Sequence, residues 1–555
     1  MPLLLQAAPL ETAWGFDISA EPDIHCPLMN FAKLLPIIMA LPLASQAQPG
    51  RGSWTTFGGD PQRTGWNKTE TDLTLESVKH LKLEWSVKLP SEPKALSNLT
   101  APLVRVSTAT SKGVKDLVVV AGASNKVFVV DGDTGKIFWE KTLAAEGTPQ
   151  RRDSWLCPNG LSATPMIGPV PRTEGAAGPG FGQAIYVLAS DGKLHAFNLV
   201  SGEDVIPPTP FVPAFAKMWS MNLVNGLLYT TISQNCNGVK SGVYAMDLGN
   251  AERKISYFEA SSSNGAGIWG RAGTAVTAEG TVIIETGDGT FDPEKHQMAD
   301  SVIALSPKDL KMTDYFTPRN RSWMTKKDLD MGSIGPTVFN FKNWELAAAS
   351  GKEGVIFLLD TKALGGPDHR VPLYRSPLFA NEEVNFAGKG FWGAFSTWEE
   401  QSGTRWLYAP AWGPPAPDAK FASQHGETPD GSVMAFKVEE QAGKPVLTPA
   451  WNSLNMSVPT PVIIANGVVF ALSDGDSPVQ FSQSGGLLGV EDRKAKAGHA
   501  ILYALDATTG DVLFTSADTI RGFSHFSAFG VGGGRIYVGT EDGMLYAFGL
   551  GIPQP

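Results

Sequence analysis

Six side chains in the middle of the sequence have types suited to acting together. They are Trp269 in GAGIWGRAG (265–273), Asp288 in VIIETGDGTFDP (282–293), Asp328 and Asp330 in KDLDMGSIGP (327–336), Lys352 in ASGKEGVIFLLD (349–360) and Trp392 in GFWGAFSTW (390–398). A carboxylate accepts a proton or ligates a hard cation such as Ca²⁺. A lysine stabilises negative charge that develops in a reaction. A broad indole face stacks on a flat ring. Each residue also has a purely structural use: tryptophans pack cores, Gly-Asp-Gly is an ordinary hairpin turn, Asp-x-Asp occurs in many loops, and a lysine in a turn faces water. Other chemistries are poorly represented. No Gly-x-Gly-x-x-Gly opens a helix and there is no P-loop. His195, His425 and His525 stand apart and make no pair at zinc spacing. No Cys-x-x-Cys-His is present, which excludes a covalent c-type haem in this chain.

Residues scattered from 269 to 392 act together only if the fold gathers them. One strand pattern recurs along the chain: VFVVDGDTG (127–135), LHAFNLVSG (194–202), VYAMDL (243–248), VIALSP (302–307), IFLLDT (356–361), VMAFKV (433–438), LYALDATTG (502–510) and LYAFGL (545–550). A second strand with a tight turn precedes most of them, as in RIYVGTEDG (535–543), which is a hairpin signal. The closest two repeats, marked at Asp506 and Gly549, stand 43 residues apart, within the roughly 40–50 residues of a four-stranded propeller blade. Longer spacings carry Gly/Pro-rich insertions at 169–182 and 414–431. Eight repeats predict an all-β, eight-bladed propeller of four-stranded antiparallel blades, with seven blades as the alternative. The last repeat ends close to the C-terminus and lacks an outer strand. LKLEWSVKLP (81–90) is the candidate to close the ring.

Composition agrees. The 555 residues include 60 Gly, 40 Pro and 15 Trp, and only 18% are charged. Such a chain is too apolar for disorder. With 45 Lys plus Arg against 55 Asp plus Glu, the formal charge is −10, which argues against nucleic acid as a partner. Met29 begins a second plausible start, so 1–28 reads as a misassigned extension. Residues 29–47 read as a signal peptide: Lys33 in the n-region, an apolar run from Leu34 to Leu43, and Ser45-Gln46-Ala47 at the cleavage site. The apolar run is too short for a transmembrane anchor. Residues 48–555 are then one exported domain, periplasmic or secreted. Its two cysteines, Cys157 and Cys236, either pair or remain buried thiols.

The turns DGDTGKIFW (131–139) and DATTGDVLF (506–514) resemble the tryptophan-docked repeats of the pyrroloquinoline quinone (PQQ) dehydrogenase-like family. The resemblance covers most of 53–550 and gives the six central residues an order. Trp269 matches the family's floor beneath the quinone. Asp288 stands where a metal-ligating Asn is usual. Asp328 or Asp330 matches the catalytic base, and the second acid, Asp330, is a metal-ligand candidate of the kind found in lanthanide-using members. Lys352 matches the cation on the quinone oxygens, and Trp392 a loop beside the cavity. Two departures stand out. Members usually have adjacent bonded cysteines over the quinone, whereas DSWLCPNGLSATP (153–165) has only Cys157, the cofactor-contact candidate there. A metal-binding Glu is expected where SQNCNGVKSG (233–242) offers Asn235, Cys236 and Asn237, leaving Asn235 as the replacement ligand. The resemblance places Cys157 and Cys236 near the cavity mouth, where a disulfide between them is expected. It implies PQQ with Ca²⁺ or a lanthanide, an alcohol-type small-molecule substrate, and a separate electron acceptor such as a soluble cytochrome c. A noncatalytic protein- or glycan-binding propeller and a polyvinyl-alcohol-dehydrogenase-like enzyme without a haem domain are the alternatives.

Overall fold

The computed structural model describes residues 52–171, 182–382 and 388–551. The expected extension (1–28) and signal peptide (29–47) lie outside the described residues, as does most of the 169–182 insertion. Eight antiparallel blades follow one another. Blade 1 comprises Leu103–Thr110, Gly113–Gly122, Lys126–Asp131 and Ile137–Thr142. Blades 2 to 7 span 166–210, 217–259, 275–316, 337–375, 390–452 and 463–515. Blade 8 has three strands from the C-terminal end, Phe529–Gly532, Arg535–Gly539 and Met544–Gly549, and its outer strand is Lys82–Lys88, antiparallel to the last of them. The ring is therefore closed by the N-terminal strand expected from the sequence, which gives blade 8 its fourth strand. In blades 3 and 6 the inner strand is broken in two, with both pieces pairing to the same neighbour.

Tryptophans lock neighbouring blades, each reaching across to the turn of the next blade. Trp139, in the outer strand of blade 1, lies over Gly202 of blade 2 and donates its indole N–H to the Leu199 carbonyl at 2.9 Å. Trp85 makes the same arrangement from blade 8 with Gly135 and the Gly132 carbonyl, and Trp451 from blade 6 with Gly510 and the Ala507 carbonyl. A Cβ at Gly202 would come within 3.0 Å of the Trp139 ring, and its φ is +70°. The turn therefore needs glycine both for the left-handed backbone and for the indole's approach. Burying an aromatic of this size is worth roughly 2–3 kcal/mol per junction.

The segment 54–67 runs around the axis at one end and touches every blade. Its backbone bonds to Val104, Ile167, Val276, Val338, Thr397 and Ile464, in blades 1, 2, 4, 5, 6 and 7. Side-chain amides of Asn222 and Asn67 complete the contacts with blades 3 and 8. Arg63 sits inside this strap and donates to the carbonyls of Phe57, Met221 and Thr274. The strap closes that end of the channel.

Candidate functional site

The central residues all sit on connections and strand ends of blades 3 to 6. Trp269 lies between blades 3 and 4. Asp288 follows the blade 4 strand Val282–Glu285. The short helix Arg321–Lys327 ends at Asp328, which takes a left-handed conformation (φ 53°) and caps it with its backbone N–H. Two residues later comes Asp330. Lys352 follows Trp344–Ala349 of blade 5, and Trp392 sits in the broken inner strand of blade 6. Close packing brings these segments together. A Cβ on Gly287 would meet the Asp330 carboxylate at 2.8 Å and the Trp269 indole nitrogen at 3.1 Å, and one on Gly351 would meet the Asp330 carbonyl at 2.6 Å. Only glycine lets the three loops approach this closely.

Asp330 is the hub. It is 2% exposed, accepts the Trp269 indole N–H at 2.9 Å and pairs with the Lys352 ammonium at 2.5 Å. That ammonium is also 3.6 Å from Asp328, and lies over the rings of Trp269 and Trp392 at 5.3 and 5.5 Å. The two indoles meet edge to face at 5.2 Å, and Trp392 stacks on Trp412 at 4.1 Å, nearly parallel. Lys352 thus stands between carboxylates and indole faces, an arrangement that combines an ion pair with cation–π contacts.

The charges are out of balance. Three carboxylates, Asp288, Asp328 and Asp330, face one ammonium. Burial pushes the Asp328 carboxyl up to about 6; Lys352 opposes this, and repulsion from Asp330 and Asp288 adds to it. Burial and then the Asp330 charge raise Asp288 as well. Burial alone would pull Lys352 down, yet the three acids hold it above its ordinary value. Asp300, just behind the site, is pushed up to about 7 by burial and holds Thr325 and the Met331 N–H.

These residues line a cavity of about 250 Å³, just below the usual range of roughly 300–1,000 Å³ for small-molecule sites. All of the sequence-derived candidates except Cys157 and Asn235 line it. Cys157 is bonded to Cys236 across a Cα separation of 5.6 Å, as expected. The bridge acts on the rim: Trp155 and Leu156 line the cavity beside Cys157, and Gln234 beside Asn235. Asn235 leaves its buried Oδ1 without a protein partner. Asn237 secures the same rim, accepting the N–H groups of Gln150 and Arg151 and donating to Asn159. Sequence reasoning missed Trp155, Lys217, Trp219, Phe481, Leu487 and Phe526, which complete the lining. Phe481 and Leu487 lie in the connection between the blade 7 strands Val468–Ser473 and Ile501–Asp506, and Trp155 fastens that connection by donating to the Leu488 carbonyl at 3.0 Å.

A profile described as outer membrane protein assembly factor BamB, a PQQ-repeat family, matches residues 73–257. A quinohemoprotein alcohol dehydrogenase from Comamonas testosteroni superposes with a TM-score of 0.54 at 17% identity, over 92% of this chain and 82% of that one. A europium-containing methanol dehydrogenase superposes with a TM-score of 0.55 at 13% identity, over 90% and 98% of the two chains. The chain shares the propeller fold of these two proteins, and its residues 73–257 match the PQQ-repeat profile. No curated protein matches it by sequence.

The donor set of the cavity fits a hard cation in chemistry and charge: carboxylate oxygens in excess over ammonium, with the orphaned Asn235 amide oxygen near the rim. Among the described residues no three acidic, histidine or cysteine side chains are close enough to hold an ion unaided. Asp288 and Asp330 would hold it together with oxygens from a bound ligand or water. For a flat quinone, the Trp269 indole would offer a stacking surface and Lys352 a cation. No helix among the described residues is long and apolar enough to cross a membrane.

Proposed function

We propose that this chain is a PQQ- and metal-dependent dehydrogenase that oxidises an alcohol-type substrate and passes the electrons to a separate carrier such as a soluble cytochrome c. The observation that carries the proposal is the Lys352 ammonium held between Asp330, Asp328 and the faces of Trp269 and Trp392 inside one cavity. The expected signal peptide and the Cys157–Cys236 bridge support a periplasmic or secreted location.

PQQ, if bound against Trp269 and Lys352, would supply a two-electron acceptor, and a cation held by Asp288 and Asp330 would supply Lewis-acid character. The residues divide the remaining work. Both Asp330 oxygens are engaged, by Lys352 and by Trp269, so this carboxylate positions its partners and serves as the second metal-ligand candidate with Asp288. Asp328 is the better base. Its side chain is 45% exposed, it faces the cavity, and its pKa of about 6 suits a group that must take a hydroxyl proton near neutral pH. Lys352 offsets the negative charge of Asp330 and of Asp328 before Asp328 takes the proton. Trp155, Leu156 and Phe481 give the cavity an apolar lining.

A second reading is a noncatalytic scaffold. It is favoured by the bonded Cys236 in the segment where an acid was expected. One titration separates the two: purified protein with PQQ plus Ca²⁺, then PQQ plus La³⁺, followed by quinone absorbance and thermal melting. Binding that raises the melting temperature supports the dehydrogenase, and Asp328→Asn should then lose turnover while still binding. Absence of binding with either cation would leave the scaffold.

A further inference from the structure

Between the acidic cavity and the strap lies a second, smaller chamber of opposite character. Phe57 of the strap lines its inner end, and Lys217, Trp219 and Phe526 line both it and the outer cavity. Arg271 and His525 also line it. Arg271 is 4% exposed and stacks on the Phe526 ring at 4.1 Å, yet neither of its terminal nitrogens has a hydrogen-bond acceptor in the protein. His525 is 3% exposed; its Nδ1 bonds to Asp476 at 2.6 Å, while its Nε2 has no partner. Lys217 is buried, with only a 3.4 Å bond to the Trp155 carbonyl and the Trp219 ring at 5.1 Å.

The nearby acids do not neutralise this set. Asp476 is committed to Arg493 at 2.9 Å and to His525. Asp474 acts on Arg271 from nearby, and burial and then the Asp476 charge push its carboxyl well above its ordinary value. Burial, with repulsion from Arg493, lowers Lys217 to about 7. Buried cations without a counter-charge are costly, and guanidinium donors left open in a fork match a carboxylate. The chamber, at about 30 Å³, has room for one or two water-sized groups. It can take the two oxygens of a carboxylate, and the rest of such a molecule would have to lie in the outer cavity.

We infer that the chamber is a carboxylate-reading subsite, in which Arg271 and Lys217 hold the acidic end of a molecule whose body occupies the cavity over Trp269. Two sources share this chemistry: a carboxylate of the quinone, and a carboxylate on the substrate, which would make the substrate a hydroxy acid. The quinone arm rests on the function proposed above; the subsite itself does not.

The experiment measures binding by calorimetry for three ligands: PQQ with Ca²⁺, the trimethyl ester of PQQ with Ca²⁺, and glycolate. Proteins are wild type, Arg271→Gln and Lys217→Met, with folding checked by circular dichroism. If the quinone is the source, PQQ weakens at least tenfold in both variants and the ester does not respond. If the substrate is the source, glycolate binding is lost in both variants and PQQ is unaffected. Changes under twofold for every ligand in folded variants overturn the subsite, even where PQQ binds tightly and the proposed function stands. A wild-type measurement covers variants that fail to fold: acetate should raise the melting temperature above that in the neutral isostere acetamide at equal ionic strength. Stabilisation by acetate without any PQQ binding would retain the subsite and remove the quinone reading. Equal melting in acetate and acetamide would overturn the subsite.

Discussion

Replacing Asp328 by asparagine should stabilise the ligand-free protein at alkaline pH while disabling the proposed reaction. The folded carboxyl has its pKa raised from 3.8 to about 6 by burial and by Asp330 and Asp288, against the pull of Lys352. A group whose folded pKa lies above its unfolded value binds protons better when folded. Its favourable contribution is complete below about pH 4 and is lost as pH rises through about 6. Ionised Asp328 therefore burdens the wild type at pH 8 and not at pH 4. The full shift corresponds to about 3 kcal/mol. Because the side chain is 45% exposed, solvent screening reduces that to about 1 kcal/mol. In a domain of this size the difference is on the order of 1–2 °C in melting temperature. The assay is differential scanning calorimetry of both proteins, without cofactor, from pH 4 to 8. The Asn variant should draw ahead between pH 4 and 7 and keep a constant lead above that. A lead that is flat with pH, or a variant less stable at pH 8, would refute the reasoning and mean that Lys352 over-compensates its neighbours.

Trp269→Leu should weaken quinone binding at least tenfold by removing the stacking surface, seen in absorbance titration, with the blades still folded by circular dichroism. Cys157→Ser or Cys236→Ser should lower stability by about 2–4 kcal/mol and open the 150–159 loop to proteolysis, since the bridge joins segments 79 residues apart. Gly202→Ala should cost about 1–2 kcal/mol in thermal unfolding, because alanine must adopt φ near +70° with its Cβ against the Trp139 ring.

The ring was legible because strand repeats impose themselves locally. Alternation, turn glycines and docking tryptophans lie within a few residues of each other, so eight repeats and the closing strand Lys82–Lys88 could be counted along the chain. Trp269, Asp288, Asp328, Asp330, Lys352 and Trp392 were legible by their order, and they do converge on one cavity. What sequence could not give was partner choice. Nothing near Asp330 announces that its two oxygens meet Lys352 and Trp269, which leaves Asp328 as the freer acid. Lys217, Arg271 and His525 were silent for the same reason. Lys217 begins the inner strand of blade 3, Arg271 lies between blades 3 and 4 and His525 between blades 7 and 8, and only ring closure brings them to one chamber. Asn235 and Cys157 read as contact residues but flank the lining, since a turn's side chains diverge within one residue.

The strap at 54–67 sets the order of events when the chain folds. The segment that fastens all eight blades is near the start of the sequence, and so is the strand that completes the eighth. Its bonds reach as far as Ile464, and Asn67 reaches Val531. The strap and Lys82–Lys88 are therefore among the last segments to find their places. Contacts so distant along the chain slow folding and prolong the time that strand edges stay open. The clasp stays undone until Met544–Gly549 is available, so the strand that waits longest for its partner, and offers a binding chaperone its longest window, is Lys82–Lys88.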